Sequence, residues 1–231
     1  MLPKEVKLIG LYRGDAYQPL ANSNIVSGIA GKLQQQNLQV NHDSVVADWQ
    51  VDRKHHGGVD RVLHHFPVEH YAYYQQRFNL NHLNAPMMGE NISSTGLLEQ
   101  DINIGDIIAL GSTLLQVTQP RSPCFKLNLQ FNQIEFARTM QDSRRCGWFY
   151  RVLTSGEIKA TDQFKLIERV SDISVAEAMA LYFRESFDLN AYQRLLGCET
   201  LAQSWQRSIQ SRINQQRIEA WDMRLYGPAT Q

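Results

Sequence analysis

Residues 119–127 read Gln119-Pro120-Arg121-Ser122-Pro123-Cys124-Phe125-Lys126-Leu127 and place one thiol between two prolines and two cations. Each proline fixes its own φ and drives the residue before it towards an extended conformation, so we expect the loop to be stiff. Arg121 and Lys126 would favour the thiolate, which is both the nucleophilic and the metal-binding form of cysteine. The pattern favours a chemically used Cys124, and the alternative is a cysteine that is merely buried after a turn.

The composition is that of an ordinary globular protein. The chain has 231 residues, of which 43% are hydrophobic and 20% are charged, and its formal net charge is zero. This length allows one large domain, or one domain with a small appendage. Zero net charge argues against bulk attraction to nucleic acid or to an acidic membrane surface.

The cysteines indicate a reducing compartment. Cys124, Cys146 and Cys198 are odd in number, widely spaced and without a Cys-x-x-Cys pair, which is not the pattern of a disulfide framework. The first residues lack the apolar segment of a signal peptide, and no apolar run is long enough to span a membrane. We therefore expect a cytoplasmic protein without a membrane partner.

The first part of the chain is predicted to be mainly β-structure interrupted by a few helices. Many short β-prone runs separated by turns favour a barrel or a sandwich. Strands are expected at 6–12 and 163–170, hairpins at 106–118 and 148–160, and helices at 67–78 and 132–141.

From residue 171 onwards the pattern becomes helical. Ser174 and Glu177 form a capping-box pattern at the start of one helix, Gly197 would end a second, and a third is predicted at 201–213. The sequence therefore predicts two domains, which are residues 1–170 and a small three-helix domain at 171–231.

An anion could bind to the segment Lys54-His55-His56-Gly57-Gly58-Val59-Asp60-Arg61. Paired glycines let a backbone approach a ligand closely and point N–H groups at it. Lys54, His56 and Arg61 add cationic donors. A Gly-Gly pair alone marks only a turn, so this hypothesis depends on the flanking residues.

A further polar segment is Met88-Gly89-Glu90-Asn91-Ile92. The carboxylate of Glu90 and the amide of Asn91 could fix a polar ligand by directional hydrogen bonds. The same side chains could equally cap a turn or a helix, and the segment alone does not separate these alternatives.

The histidines do not form a recognisable zinc motif. No His-x-x-x-His pair with a glutamate is present among His55, His56, His64, His65 and His70. In a strand, His64 and His65 would face opposite sides. A histidine-rich zinc site and a Cys–His hydrolase that uses Cys124 are the weaker alternatives, since no nucleophile elbow accompanies the cysteine.

In their order along the chain, these segments resemble the MOSC family, named for the C-terminal domain of molybdenum cofactor sulfurases. Within that family they are similar to the bacterial YiiM-type branch, whose members give resistance to 6-N-hydroxylaminopurine. The likeness covers nearly the whole chain and rests on residues 54–63, the tyrosine-containing helix after Pro67, Gly89-Glu90-Asn91, Gly105-Asp106, residues 119–127, Gly147-Trp148 and Tyr150-Arg151-Val152. One departure is Ala47 before Asp48, where relatives often have glycine; if that position needs positive φ, alanine would alter the loop.

The resemblance implies a β-barrel-like MOSC domain that binds the molybdenum cofactor, in which molybdenum is carried by molybdopterin. The cysteine that ligates molybdenum in the family falls on Cys124. By analogy, the cofactor-binding residues are His56, Gly57, Gly58, Arg61, Arg121, Lys54 and Lys126, with Glu90 and Asn91 as further candidates.

The resemblance also implies an enzyme, namely a molybdenum-dependent reductase of N-hydroxylated nucleobases such as 6-hydroxylaminopurine and of related small molecules. A soft thiolate suits a redox metal. The N–OH group would become N–H, and its oxygen would leave as water after uptake of two protons and two electrons. Because the sequence shows no flavin, haem or iron–sulfur signature, we expect the electrons to come from a separate reductase protein.

Two other functions compete with the reductase. The protein could be a non-catalytic carrier of the molybdenum cofactor, or of sulfur on Cys124. Its C-terminal helices could bind nucleic acid, but residues 171–231 hold six arginines and seven carboxylates, a net charge of −1, whereas DNA-reading modules are usually basic. We therefore expect these helices to dock a reductase partner or a second subunit of a homodimer rather than nucleic acid.

Overall fold

The computed structural model describes residues 2–14, 18–20, 23–48 and 57–228. Within them, an eight-stranded sheet curls into a half-barrel with the strand order β12-β8-β9-β10-β6-β7-β1-β4. The strands are β1 (Lys7–Gly14), β2 (Gln18–Pro19), β3 (Val26–Ser27), β4 (Lys32–Gln35), β5 (Asn37–Val40), β6 (Leu63–Pro67), β7 (Ile92–Thr95), β8 (Ile107–Leu110), β9 (Thr113–Pro120), β10 (Trp148–Thr154), β11 (Gly156–Lys159) and β12 (Lys165–Glu168).

The sheet is antiparallel except between β6 and β7, which run parallel. The hairpin predicted at 106–118 is confirmed as β8 and β9, joined through Gly111 at a φ of 60°. A positive φ suits glycine in so tight a turn.

The hairpin predicted at 148–160 is wrong. Strand β10 pairs with β6 on one edge and with β9 on the other. Both edges of β10 are therefore already paired, and β11 cannot pair with it. Strand β11 pairs with β5 instead, with Gly156 opposite Val40. The turn predicted at residues 154–157 is wrong as well, because only Ser155 separates β10 from β11. The strand that pairs with β11 lies more than a hundred residues earlier in the chain.

Helices cover the sheet and extend beyond it. The predicted helices at 67–78 and 132–141 are present with shifted bounds, whereas the short helix that begins at Lys126, two residues after Cys124, was not predicted. The helices are α1 (Glu69–Phe78), α2 (Lys126–Phe131), α3 (Phe136–Ser143), α4 (Val175–Tyr182), α5 (Leu189–Leu196), α6 (Gln203–Gln215) and α7 (Asp222–Tyr226).

The core of the half-barrel contains buried polar side chains among its aromatic residues. Trp148 and Tyr150 are fully buried, and so is His65. The ring nitrogens of His65 lie 3.0 Å from the Tyr150 hydroxyl and 2.7 Å from the Ser94 hydroxyl. Burial lowers the pKa of His65 to about 3, so the ring is neutral at physiological pH. Its neighbour His64 contacts Cys146 and Phe149 instead, as expected for adjacent strand residues.

The predicted three-helix unit is confirmed as α4, α5 and α6. The Ser174 hydroxyl accepts a hydrogen bond from the Glu177 backbone at 3.0 Å, which caps α4 as the capping-box pattern indicated. Backbone hydrogen bonds join this unit to the half-barrel, including one from Ala202 to the carbonyl of β9 residue Thr118 at 3.0 Å. The domain boundary at residue 170 stays a prediction.

A buried arginine fixes the end of the helical unit. Arg212 on α6 is 1% exposed and donates two hydrogen bonds to the Glu219 carboxylate, at 2.7 and 2.6 Å, and a third to the Tyr182 carbonyl at 2.7 Å. Its guanidinium carbon lies 3.9 Å from the centre of the Tyr182 ring. These contacts tie the segment after α6 back onto the helices and set the direction in which α7 begins.

No helix within the described ranges is both long enough and apolar enough to cross a membrane.

Replacing Glu219 with glutamine tests this anchor. Glu219→Gln should lower the free energy of unfolding by about 1–3 kcal/mol, because the buried Arg212 loses its charged acceptor. Urea unfolding would measure the change, with Glu199→Gln, an exposed carboxylate of the same unit, as the matched control. Equal stability of the two variants would contradict the role given to the pair.

Candidate functional site

Cys124 lies between the end of β9 and the start of α2. The residue is partly exposed, whereas Cys146 and Cys198 are buried. Pro123 before it is buried, and the Cys124 carbonyl accepts a hydrogen bond from the Leu127 backbone at 3.0 Å, which opens helix α2. The cysteine therefore sits on a short, anchored connection between a strand and a helix.

Arg121 anchors this connection to two other segments. The side chain is 8% exposed, and its Nη1 donates a hydrogen bond to the Met88 carbonyl at 2.7 Å. Its backbone N–H donates to the Gly147 carbonyl at 3.0 Å. The N–H of Gly147 in turn donates to the buried carboxylate of Glu99 at 2.8 Å. Arg121 thus joins the cysteine loop to the Met88–Asn91 segment, and its predicted contact with a cofactor stays a prediction.

Glu90 is fully buried beside this contact. Its Oε1 accepts hydrogen bonds from the hydroxyls of Tyr71 at 2.6 Å and Ser93 at 3.1 Å. Its Oε2 has no hydrogen-bond partner among the described residues. Burial raises the pKa of Glu90, and hydrogen bonds together with the charge of Arg121 only partly oppose this.

Asn91 is committed to the fold. Its side-chain nitrogen donates to the Tyr12 carbonyl at 3.2 Å and to the Asp48 carboxylate at 2.9 Å, and its side-chain oxygen accepts from the His64 backbone at 3.1 Å. These bonds join β1, β6 and the loop at Asp48. They give the amide a structural role, and its contact with a cofactor stays a prediction.

Asp48 is the partner of a buried lysine. Lys32 Nζ lies 2.8 and 2.6 Å from the two carboxylate oxygens of Asp48, and the Gly14 backbone donates to the same carboxylate at 2.6 Å. The side chains of Lys32 and Asp48 are only 7% and 1% exposed. Burial lowers the pKa of Lys32, and the charge of Asp48 opposes that effect.

Ala47 adopts the left-handed conformation, at a φ of 60°. The position has the positive φ that suits glycine although it carries alanine, and Asp48 beside it forms its ion pair with Lys32. A β-carbon in this region costs about 1–2 kcal/mol. The contacts of Asp48 hold the backbone in that conformation.

The loop that contains Gly57 and Gly58 contacts β9. Gly58 has a φ of 106°, and a β-carbon placed there would meet no described atom within 4 Å. The loop continues as a 3₁₀ turn over Val59–Arg61, and the Thr118 hydroxyl donates to the Asp60 carbonyl at 2.6 Å. Among the described residues, the backbone at Gly58 therefore has no atom close to this position, beside the strand that leads to Cys124.

The structure brings together only part of the predicted set. Cys124, Arg121 and Glu90 are linked through the Met88 segment, and Gly57, Gly58 and Arg61 flank the same strand. Lys126 opens helix α2 two residues after Cys124. The predicted donors Lys54 and His56 lie outside the described residues.

Sequence reasoning missed one cation near the cysteine, Arg224 on α7. Its Nη1 donates to the Pro123 carbonyl at 2.7 Å and its Nη2 to the Gln141 side chain at 2.6 Å. Burial lowers the pKa of Arg224, and the opposing influences include the thiol of Cys124. Arg224 lies 100 residues after Cys124 in the chain, and no local pattern indicates the contact.

The histidine-rich zinc site has no counterpart in the part of the chain that the structure describes. No group of three histidine, cysteine, aspartate or glutamate side chains there is arranged to hold a metal ion. His64 and His65 are instead packed into the sheet.

Comparison with known proteins gives the family. Residues 52–165 match the MOSC domain, and residues 173–216 match the YiiM-like 3-alpha helix domain. The YiiM protein of Escherichia coli is 42% identical over 182 residues, which make up 78% of this chain and 81% of that protein. This chain belongs to the MOSC family, in its YiiM branch.

Other relatives agree with this assignment. The crystal structure of YiiM from Escherichia coli superimposes with a TM-score of 0.79 at 36% identity, covering 94% of this chain and 99% of the other. YflK of Bacillus subtilis is 31% identical over 185 residues, 80% of this chain and 83% of that protein. A Gibberella moniliformis protein named Reductase is 36% identical over 119 residues, which are 49% of this chain but only 21% of that protein.

The left-handed alanine can be tested by restoring glycine. Ala47→Gly should raise the free energy of unfolding by about 1 kcal/mol, because relief of the β-carbon strain exceeds the entropy that glycine adds to the unfolded chain. Thermal or urea unfolding would measure it. The control Ala180→Gly, inside α4, should lower stability by about 1 kcal/mol instead. A loss of stability in both variants would show that Ala47 is not strained.

The buried carboxylate makes stability depend on pH. Because the folded state holds a proton on Glu90 more tightly than the unfolded chain does, Glu90 makes the folded state less stable as pH rises from 4.5 through its raised pKa. Glu90→Gln should therefore gain stability relative to the wild type over that interval. Urea unfolding between about pH 4 and pH 8 would show this, with the exposed Glu168→Gln as control. A difference that does not change with pH would contradict the assignment.

Proposed function

We propose that this protein is a molybdenum-cofactor-dependent reductase of N-hydroxylated compounds, including nucleobases such as 6-hydroxylaminopurine, with Cys124 as the molybdenum ligand. The observation that carries the proposal is Cys124 itself, a partly exposed cysteine on an anchored loop in a chain of the MOSC family. A relative named Reductase, although it matches only part of this chain, supports redox chemistry.

The described residues fit a pterin-containing cofactor. The unpaired Oε2 of the buried Glu90 is an acceptor suited to the N–H groups of a pterin. Satisfying it would remove the cost of a buried acceptor without a partner. Gly58 has no neighbour within 4 Å of its β-carbon position among the described residues, which suits the close approach of a phosphate to backbone N–H groups. The thiol, the carboxylate and the glycine backbone thus offer one donor or acceptor for each part of the cofactor.

The protein's own residues would bind the cofactor and orient it. Cys124 would hold the metal as thiolate, and Arg61, Lys126 and the predicted donors Lys54 and His56 would hold the anionic part of the cofactor. Burial raises the pKa of Tyr71 well above 10, so its hydroxyl stays protonated and keeps Glu90 in place. Arg121 would hold the Glu90 segment at a fixed position relative to Cys124, through Met88.

The cofactor, when bound, would supply the two-electron reduction of an N–OH group to N–H, with water as the second product. Two protons and two electrons enter for each turnover. We expect the electrons to come from a separate reductase protein.

Cys124→Ser tests the proposal. In protein purified from a host that makes the cofactor, the wild type should carry near-stoichiometric molybdenum and reduce 6-hydroxylaminopurine with a chemical or enzymatic electron donor. The serine variant should lose both by at least about tenfold, because a serine hydroxyl stays protonated at neutral pH and would not supply the anionic ligand that the thiolate of Cys124 supplies. Elemental mass spectrometry and product analysis would measure the two properties.

Cys198→Ser is the matched control, since that buried cysteine lies in the helical unit, and it should keep metal and activity. Full activity of Cys124→Ser would overturn the proposal. Molybdenum bound by the wild type without any turnover would instead favour the carrier function.

A further inference from the structure

The segment after the three-helix unit returns to the half-barrel and packs on the cysteine loop. The Phe125 backbone N–H donates to the Arg224 carbonyl at 2.7 Å, and the Asn128 side chain donates to the Leu225 carbonyl at 2.7 Å. A β-carbon at Gly227 would lie 2.9 Å from the Phe125 ring, so the backbone there is in close contact with the loop. This segment lies beyond residue 216, where the match to the YiiM-like helical domain ends.

Arg224 holds both neighbours of Cys124. Its carbonyl accepts the N–H of Phe125, the residue after the cysteine. Its guanidinium donates to the carbonyl of Pro123, the residue before it, at 2.7 Å. The peptide groups on either side of Cys124 are therefore bonded to one residue of α7, and two fixed neighbours leave the backbone of the cysteine little freedom.

Arg224 and its two bonds to Pro123 and Phe125 form a clamp on the cysteine, and Arg224 is itself held in place by other residues. The second guanidinium nitrogen of Arg224 bonds to Gln141 on α3 at 2.6 Å. Trp221, at the start of α7, donates to Glu219 at 3.2 Å, and Glu219 is held by the buried Arg212. The position of Arg224 is thus set by the helical unit and by α3 together.

The helical unit contacts the glycine loop as well. The Asp60 carboxylate accepts the N–H of Gln203, in the first turn of α6, at 2.9 Å, and it forms an ion pair with Arg151 at 2.8 Å. An acidic side chain at the N-terminus of a helix is a stabilising contact. The C-terminal helices therefore touch both loops that the proposed function assigns to the cofactor.

We propose that Arg224 is a positioning residue that holds the Cys124 loop ready for its ligand, and that the C-terminal helices are an internal support for the cofactor site. This inference rests on the proposed function for the identity of the ligand. A ligand thiol that is already held in place loses less conformational freedom on binding, which raises affinity without any new contact.

The test compares full-length Arg224→Gln and Arg224→Lys with Arg217→Gln, an exposed arginine of the same segment. Two properties are measured on protein whose circular dichroism matches the wild type. They are hydrogen exchange of the peptide that spans residues 121–131 in cofactor-free protein, and molybdenum retained per chain after gel filtration of loaded protein.

Arg224→Gln should exchange several-fold faster over residues 121–131 and retain several-fold less molybdenum, while Arg217→Gln should match the wild type. Arg224→Lys keeps the charge and can reach only one of the two side-chain acceptors. Its exchange rate and its retained molybdenum should therefore lie between those of Arg224→Gln and the wild type. A lysine variant equal to the wild type in both measurements would mean that charge alone matters, and would overturn the positioning role.

Unchanged exchange in a folded Arg224→Gln would also overturn the inference. The exchange measurement needs no cofactor, so it decides on the clamp even if the wild type binds no molybdenum, an outcome that would count against the proposed function alone. If Arg224→Gln does not fold, the lysine variant still gives both measurements.

Discussion

The hydrogen bond from Arg121 to the Met88 carbonyl joins two segments that are otherwise separate in the chain. Because the same residue is held by Gly147 through its backbone, the guanidinium has a fixed starting point. A charged donor on a carbonyl is among the stronger hydrogen bonds in proteins. Through it, the Cys124 loop is connected to the segment that carries Glu90.

The local features of the fold could be predicted from the sequence, and its long-range pairings could not. The β8–β9 hairpin and the cap at Ser174 depend on residues that are close in the chain, and both are confirmed. The pairing of β11 with β5 depends on which edges of β10 are already occupied. Which strand edges are already paired is decided only when the sheet assembles, so the alternation of hydrophobic residues within one strand does not predict its partner.

The candidate site follows the same division. Cys124 could be singled out from the sequence because the prolines and cations that mark it are its neighbours in the chain. The contact between Arg224 and Pro123 could not be predicted, because the two residues are far apart in the chain and meet only in the folded structure. Ala47 shows a further limit, since propensity argues against a left-handed alanine. There the buried pair of Asp48 and Lys32 holds the backbone in place, because an uncompensated buried charge would cost more than the strain.

Glu90 shows why the site is built on rigid elements. A buried carboxylate with one unpaired oxygen is unfavourable in the protein alone, and a flexible segment would relieve it by turning the side chain to water. Two hydroxyls hold the other oxygen, and the Met88 segment before it is held by Arg121, so the side chain cannot escape. If the proposed cofactor donates a hydrogen bond to this oxygen, the bond would offset that cost, and ligands without such a donor would bind less tightly.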